Sequence, residues 1–313
     1  MTGLTLVSIA IPAYNEADNL EELFQRLGDV FKSCSEEFDF EVVICENGST
    51  DNSYELLVNH ARKDRRIRIV RLSRNFHMEG GMMAALAHVR GDVCVIMSAD
   101  LQDPPEMIPK MLACWRSGFD HVYTIIDYRH GESRFRRIAA EVFYWLIDRL
   151  SDTPVPRNAS DFRLVSKPMY QVFNTMPEKV RMVRSIWGWI GFTSTSLRYE
   201  RPARRRGVSS FRPLVTLGFA VRGLLASSLT PLKLVPIFGF CLSTISFLGL
   251  FVAVLRAVFF GVPFAGFGTI IATILLMFGL LFLLLGLLAE YVGMIYVESR
   301  SRPPYVVRDV FGT

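Results

Sequence analysis

The stretch Val93–Pro105, VCVIMSADLQDPP, decides how the rest of the chain is read. Val93–Met97 is an apolar run of strand length, Ser98–Asp103 is a polar loop, and Pro105 opens a helical stretch that reaches Trp115. Proline is tolerated in the first turn of a helix because the N–H it lacks would have no intrahelical partner there. The same rhythm extends toward the N-terminus. Strands are expected at Leu4–Pro12, Phe40–Cys45 and Ile67–Leu72, and helices at Glu16–Lys32, Ser53–Lys63 and Glu79–Val89. A further strand is expected at His121–Ile126. Strands alternating with helices at this spacing fold as an α/β unit, a mostly parallel sheet covered on both faces. Such sheets bind ligands in the loops beyond the carboxyl ends of their strands.

That rule directs attention to four loops: Pro12–Glu16, Glu46–Asp51, Ser98–Asp103 and the basic stretch Arg129–Arg137. Each has a plain structural reading by itself. Asn47-Gly48-Ser49 is ordinary turn chemistry, Asp51 suits a helix cap, and Asp103 before two prolines suits a helix start. Converging on one sheet edge, they suit a metal–nucleotide ligand. Magnesium or manganese takes hard oxygen ligands and bridges diphosphates, and Ser98, Asp100 and Gln102 offer oxygens at alternate positions past a strand. Arginines add bidentate phosphate contacts. No GxxxxGK[ST] occurs, which disfavours a P-loop ATPase. His77, His88 and His121 lack metal-ligand spacing, and Trp187 and Trp189 read as packing residues.

Composition bounds the partners. Half of the 313 residues are apolar and 21% are charged, which excludes a disordered chain. Five cysteines without a CxxC pair disfavour a disulfide framework or zinc ribbon. A net charge of +5 suits an anionic partner. Nucleic acid is not that partner, because the basic residues concentrate before an apolar segment and form no recognition motif.

The apolar excess lies at the C-terminal end. No charge occurs from Leu234 to Leu255, nor from Ala257 to Ala289. Two transmembrane helices are expected, about Pro236–Phe259 and Phe267–Tyr291, because roughly 20 helical residues cross a bilayer core. Arg201, Arg204, Arg205, Arg206, Arg212, Arg222 and Lys233 precede the first span with no acid among them. Arg300, Arg302 and Arg308 follow the second. Positive flanks stay inside, so both termini and the N-terminal domain are expected on the cytoplasmic side of a multi-pass protein of the inner (cell) membrane. No signal peptide is evident in the first thirty residues. Phe211–Leu229 mixes apolar residues with sparse arginines, as interfacial helices do. The expected organisation is a catalytic domain over 1–210, juxtamembrane helices over 211–233, two spans over 234–296 and a cytoplasmic tail over 297–313.

PAYNE (12–16), ENGSTD (46–51), RLSRNFHMEGG (71–81), SADLQDPPE (98–106), SDFRLVS (160–166) and RPARRRGVSSF (201–211) resemble, in order, the motifs of family-2 glycosyltransferases of the GT-A fold. The chain is most similar to the membrane-bound polyprenyl-phosphate sugar transferases, the dolichol-phosphate mannose synthases and bactoprenol glucosyltransferases. The resemblance runs from about residue 4 through the two apolar segments. It implies that Pro12, Tyr14, Glu16, Glu46 and Asp51 hold the nucleotide's base and ribose, with Arg74 and Ser98 also at the nucleotide sugar. It implies that Asp100 and Gln102 hold a divalent metal, Mg or Mn, on the diphosphate. Asp161 matches an aspartate near the acceptor, and Arg129, Arg136 and Arg204 match arginines that meet the diphosphate or lipid phosphate. The chain departs from the usual pattern at Ser98 for the first Asp of DAD, at Asn47 in DDGSTD, at His77 in RNFG and at Ser210 for a lysine. The implied reaction is inverting transfer of a sugar from a nucleotide diphosphate to a polyprenyl (undecaprenyl or dolichyl) phosphate. A homo-oligomer is expected. The alternatives are transfer to another lipid and a degenerate transferase serving as a membrane-bound binding subunit.

Overall fold

The computed structural model describes residues 4–127, 159–176, 183–202, 230–260 and 266–312. Arg129, Arg136, Arg204, Ser210 and the 211–229 segment lie outside these residues.

The chain alternates as its pattern requires. Strand β1 (Thr5–Ala13) is followed by helix α1 (Leu20–Ser33), β2 (Phe38–Glu46), α2 (Ser53–Lys63), β3 (Ile67–Leu72), α3 (His77–Ala87), β4 (Val93–Ile96), a 3-10 turn at Pro105–Met107, α4 (Ile108–Arg116) and β5 (His121–Ile126). Then come β6 (Ala159–Ser166), α5 (Lys167–Thr175), α6 (Val183–Trp189), β7 (Ser194–Tyr199), α7 (Thr230–Phe260), α8 (Phe267–Ser299) and β8 (Val307–Phe311). Among the described residues these strands form one sheet in the order β7-β5-β6-β4-β1-β2-β3-β8. The β4-β1-β2-β3 block is parallel. Strand β6 runs antiparallel to both β4 and β5, and β8 runs antiparallel to β3.

Side-chain alternation along β1 sends Val7, Ile9 and Ile11 to one face and Ala10 to the other, so each face carries its own core. On the first face α1 contributes Leu20, Leu23, Leu27, Val30 and Phe31, a stripe with helical period, joined by Leu57 of α2 and Ile108, Met111 and Leu112 of α4. On the second, Met82–Leu86 of α3 pack with Met169 and Phe173 of α5 and Trp187 of α6. Trp187 stacks on Phe173 with centroids 4.3 Å apart, the packing role read from the sequence.

The long helices α7 and α8 occupy the two apolar segments. Among the described residues one segment, Leu276–Ser299, with a mean hydropathy of 2.2, is long and apolar enough to cross a membrane. Tyr291 of α8 is buried and meets the backbone of Leu232, which sets the start of α7 beside the end of α8.

Residues 297–313, expected as a tail, hold a strand that the sequence reading does not contain. Strand β8 pairs with β3 in the register Ile69↔Phe311, Val70↔Val310, Arg71↔Asp309 and Leu72↔Val307. It covers what would otherwise be an open sheet edge.

Candidate active site

The site is assembled where the parallel strands end. The β1 and β2 loops are laced together. Asn15, held at φ 55°, donates its N–H to Ser49 Oγ at 3.1 Å, and its Oδ1 accepts the Thr50 N–H at 2.8 Å. The Glu16 N–H donates to Ser53 Oγ at 2.9 Å. Asp51 accepts from the Ser53 N–H at 3.0 Å and the Ala17 N–H at 3.3 Å, so its carboxylate ties the two loops together one residue ahead of Asn52, the N-cap of α2. Tyr14 is exposed at this mouth and Pro12 half-buried.

Glu46 is turned inward. Its side chain is almost wholly buried; Oε1 accepts the Ser49 N–H, and Oε2 sits 3.4 Å from Arg71 Nε in an ion pair. Arg71 in turn lies flat on the Tyr54 ring, 3.7 Å from its centroid. Asn47, the neighbour that departs from the usual acid, is buried and clips two loops. Its Oδ1 accepts the Phe76 N–H at 2.9 Å while Nδ2 donates to the His77 carbonyl at 2.7 Å. Gly48 has φ +72°, and a Cβ there would lie 2.5 Å from the carbonyl carbon of Arg74. Only glycine permits this close approach, which brings Arg74 to the loop after β2. Arg74 lies over the Phe76 ring at 4.0 Å.

The β4 loop is the acidic centre. Ser98 Oγ lies 2.7 Å from Asp100 Oδ1 and 2.7 Å from Asp103 Oδ2. The Ser98 N–H donates to Asp103 Oδ2 at 2.9 Å, and the Tyr199 hydroxyl donates to Asp103 Oδ1 at 3.0 Å. Burial pushes the Asp103 carboxyl up from its ordinary value, partly offset by the Arg201 charge and the Ser98 bonds. One hydroxyl proton cannot serve two carboxylates at once. The Ser98 hydroxyl is therefore shared, able to donate to Asp100 Oδ1 or to Asp103 Oδ2. Asp100 Oδ1 also accepts the Gln102 N–H at 3.2 Å.

This donor set fits a divalent cation that draws most of its ligands from a diphosphate and water. Asp100 offers a charged oxygen and Gln102 an amide oxygen, whereas an all-protein cage would need more. Among the described residues no group of three His, Cys, Asp or Glu side chains is placed to hold a metal.

Asp161 lies on β6 at the same edge, half-buried, 3.8 Å from the buried Arg163 guanidinium. The structure thus brings Pro12, Tyr14, Glu16, Glu46, Asp51, Arg74, Ser98, Asp100, Gln102 and Asp161 to one sheet edge. Sequence reasoning missed Tyr199 and Arg71 at this edge. Tyr199 closes β7, whose polar residues hide the alternation, while Arg71 lies in β3, where the pattern marks a strand but not a site residue.

With this geometry in view, the chain's relatives can be placed. The description "Glycosyl transferase family 2" matches residues 8–173. The chain belongs to this family. A glycosyltransferase of Synechocystis sp. is 33% identical over 98% of this chain and 96% of its own length. A glycosyltransferase of Bacillus subtilis is 33% identical over 97% and 94%. The bactoprenol glucosyl transferase of Shigella phage SfV is 29% identical over 97% and 98%. Glucosyl-3-phosphoglycerate synthase from Mycobacterium tuberculosis, solved with Mn2+ and UDP, shows 20% identity and a TM-score of 0.48 over 72% of this chain and 78% of that one. This family-2 glycosyltransferase carries its matched region across β1 to α5, and the loops after β1, β2 and β4 all fall within it.

Proposed function

We propose that this glycosyltransferase moves a sugar, with inversion, from a nucleotide-diphosphate sugar to a polyprenyl phosphate at the cytoplasmic face of the membrane. The observation that carries this reading is the register of β8. Val307 pairs with Leu72, the last residue of β3, so the chain arriving from α8 joins the sheet at the edge where the site lies. A site at that edge is held near the end of an apolar helix, where a lipid headgroup phosphate resides. The likeness to bactoprenol glucosyl transferases over nearly the whole chain supports the same acceptor class. Helices α7 and α8 are taken as the two spans, with the beginning of one and the end of the other at the cytoplasmic side.

The laced β1 and β2 loops would hold the nucleoside beside Tyr14. Asp100, positioned by the Ser98 hydroxyl, and Gln102 would hold a divalent metal that offsets charge on the departing diphosphate. The acceptor phosphate is an oxyanion near neutral pH and needs little base assistance. Asp161 is therefore assigned to orienting the acceptor, with Arg163 fixing its carboxylate. Arg129, Arg136 and Arg204 are assigned to the phosphates. Inversion is tested by the anomeric configuration of the lipid-linked product, read by NMR: the opposite configuration from the donor supports single displacement, and retention overturns it.

A further inference from the structure

The chain leaving α8 re-enters the sheet through a short crossing. Helix α8 stops at Ser299, with the Arg300 N–H returning to the Tyr296 carbonyl at 3.1 Å and Ser301 at φ 51° turning the chain out of the helix. Arg300 lies over the exposed Tyr296 ring at 5.3 Å, the pairing of aromatic and cation that marks a membrane–water boundary. Residues 300–306 then cross to the sheet, and Pro303-Pro304 stiffens the crossing in an extended form.

The far end of this crossing is pinned at several points. The Ser73 N–H donates to the Val306 carbonyl at 3.0 Å, extending the β3–β8 ladder by one bond beyond Leu72. The Pro304 carbonyl passes over the first turn of α3, where a Cβ on Gly80 would lie 3.3 Å from it. Tyr305 and Val307 pack on the second core and Phe311 on the first. Gly312, at φ +93°, turns back so closely that a Cβ would lie 2.6 Å from the Ile67 carbonyl. At the middle of the strand Asp309 faces Arg71 across the ladder, and Arg71 is the partner of Glu46 in the nucleotide loop. A five-residue strand with so many fixed points is an anchored end rather than a loose tail.

We propose that residues 300–312 are a strut of fixed length that sets the height of the donor site above the bilayer, so that transfer to a membrane-embedded phosphate depends on its length while donor use does not. This rests on the membrane-acceptor reading above. The crossing spans at most roughly 25 Å, at ~3.3–3.6 Å per extended residue. Six inserted residues would nearly double that reach.

The test inserts Gly-Ser-Gly-Ser-Gly-Ser between Arg302 and Pro303 in the full chain, in nanodiscs that contain undecaprenyl phosphate. Thermal stability and transfer to citronellyl phosphate, a short water-soluble acceptor, are expected to stay within about twofold of the parent. Transfer to undecaprenyl phosphate is expected to fall about tenfold or more, as misplacement of reacting groups does. Energy transfer from a dye on the N-terminal amine to headgroup-labelled lipid is expected to fall as well. Unchanged undecaprenyl transfer or unchanged energy transfer overturns the strut. If the parent protein transfers to neither acceptor, the acceptor reading fails, and the energy-transfer arm alone decides whether the strut sets the height.

Discussion

The Asn47 side-chain amide donates to the His77 carbonyl at 2.7 Å, joining the loop after β2 to the first residue of α3. An aspartate at this position, the commoner residue of the motif, has no donor and would set an oxygen against that carbonyl. The departures at positions 47 and 77 therefore belong together: His77 adopts φ 61°, and the amide holds that turn in place.

Asn47→Asp is expected to destabilise the catalytic domain by about 1–3 kcal/mol, the cost of an unpaired buried group. At roughly 2–4 °C per kcal/mol for a domain of this size, a thermal melt resolves it. A Tm equal to that of the parent would remove the clip from the account.

Ser98→Asp would place a third carboxylate beside Asp100 and Asp103. Without a divalent cation the variant is expected to lose about 1–3 kcal/mol through like-charge repulsion in a buried setting. With Mn2+ it is expected to recover, giving a larger Mn2+-induced rise in Tm than the parent shows. A smaller rise would mean that the loop does not aim its oxygens at a common point.

The Asp103 carboxyl is raised mainly by burial, and so the folded state favours its neutral form. Stability from this group is fully present below the ordinary value of 3.8 and is lost as pH rises from there through the folded value. Asp103→Asn, which never ionises, is expected to flatten that loss in urea midpoints measured across the same range. An unaltered pH profile would contradict the upward shift of Asp103.

His121 acts with the opposite sign. Burial, with a smaller contribution from the Arg163 charge, pushes it down from 6.5 to about 3. The folded state excludes the imidazolium, so stability is lost as pH falls below 6.5, by about 1.4 kcal/mol per unit until the folded value is reached. His121→Gln is expected to make the acid limb of the stability curve shallower; a limb of the same slope contradicts this.

The alternation of strands and helices was legible because β1 to β5 are apolar runs buried on both faces, and α2, β3 and β5 begin and end where their patterns do. Strand β6 was not read as one because Asp161 and Arg163 interrupt it. Arg163 is nevertheless buried, its guanidinium donating to the Ser160 carbonyl at 2.8 Å, a compensation no pattern announces. Strand β8 is short, alternates charges with valines and follows a membrane-like segment, so nothing local marked it as the far edge of the sheet. The site was legible as a place, because strand ends are loops, and less so as a set of roles. Glu46 carries the charge expected of a ligand contact, yet Arg71, the first residue of the 71–81 motif and five residues before Phe76, pairs with it from β3. Ser98 stands where the usual motif has an acid, and its hydroxyl lies 2.7 Å from both Asp100 Oδ1 and Asp103 Oδ2, contacts that no spacing rule announces.

The most direct test is formation of a sugar-phosphate lipid by the purified full chain. The protein, with Mn2+ and undecaprenyl phosphate vesicles, is given a panel of labelled nucleotide sugars, and the organic phase is analysed by mass spectrometry, with Asp100→Ala beside the parent. The account predicts one donor converted to a glycosyl phosphoryl-undecaprenol by the parent and at least about a hundredfold less by Asp100→Ala. No lipid product from any donor, or full turnover by Asp100→Ala, would contradict it.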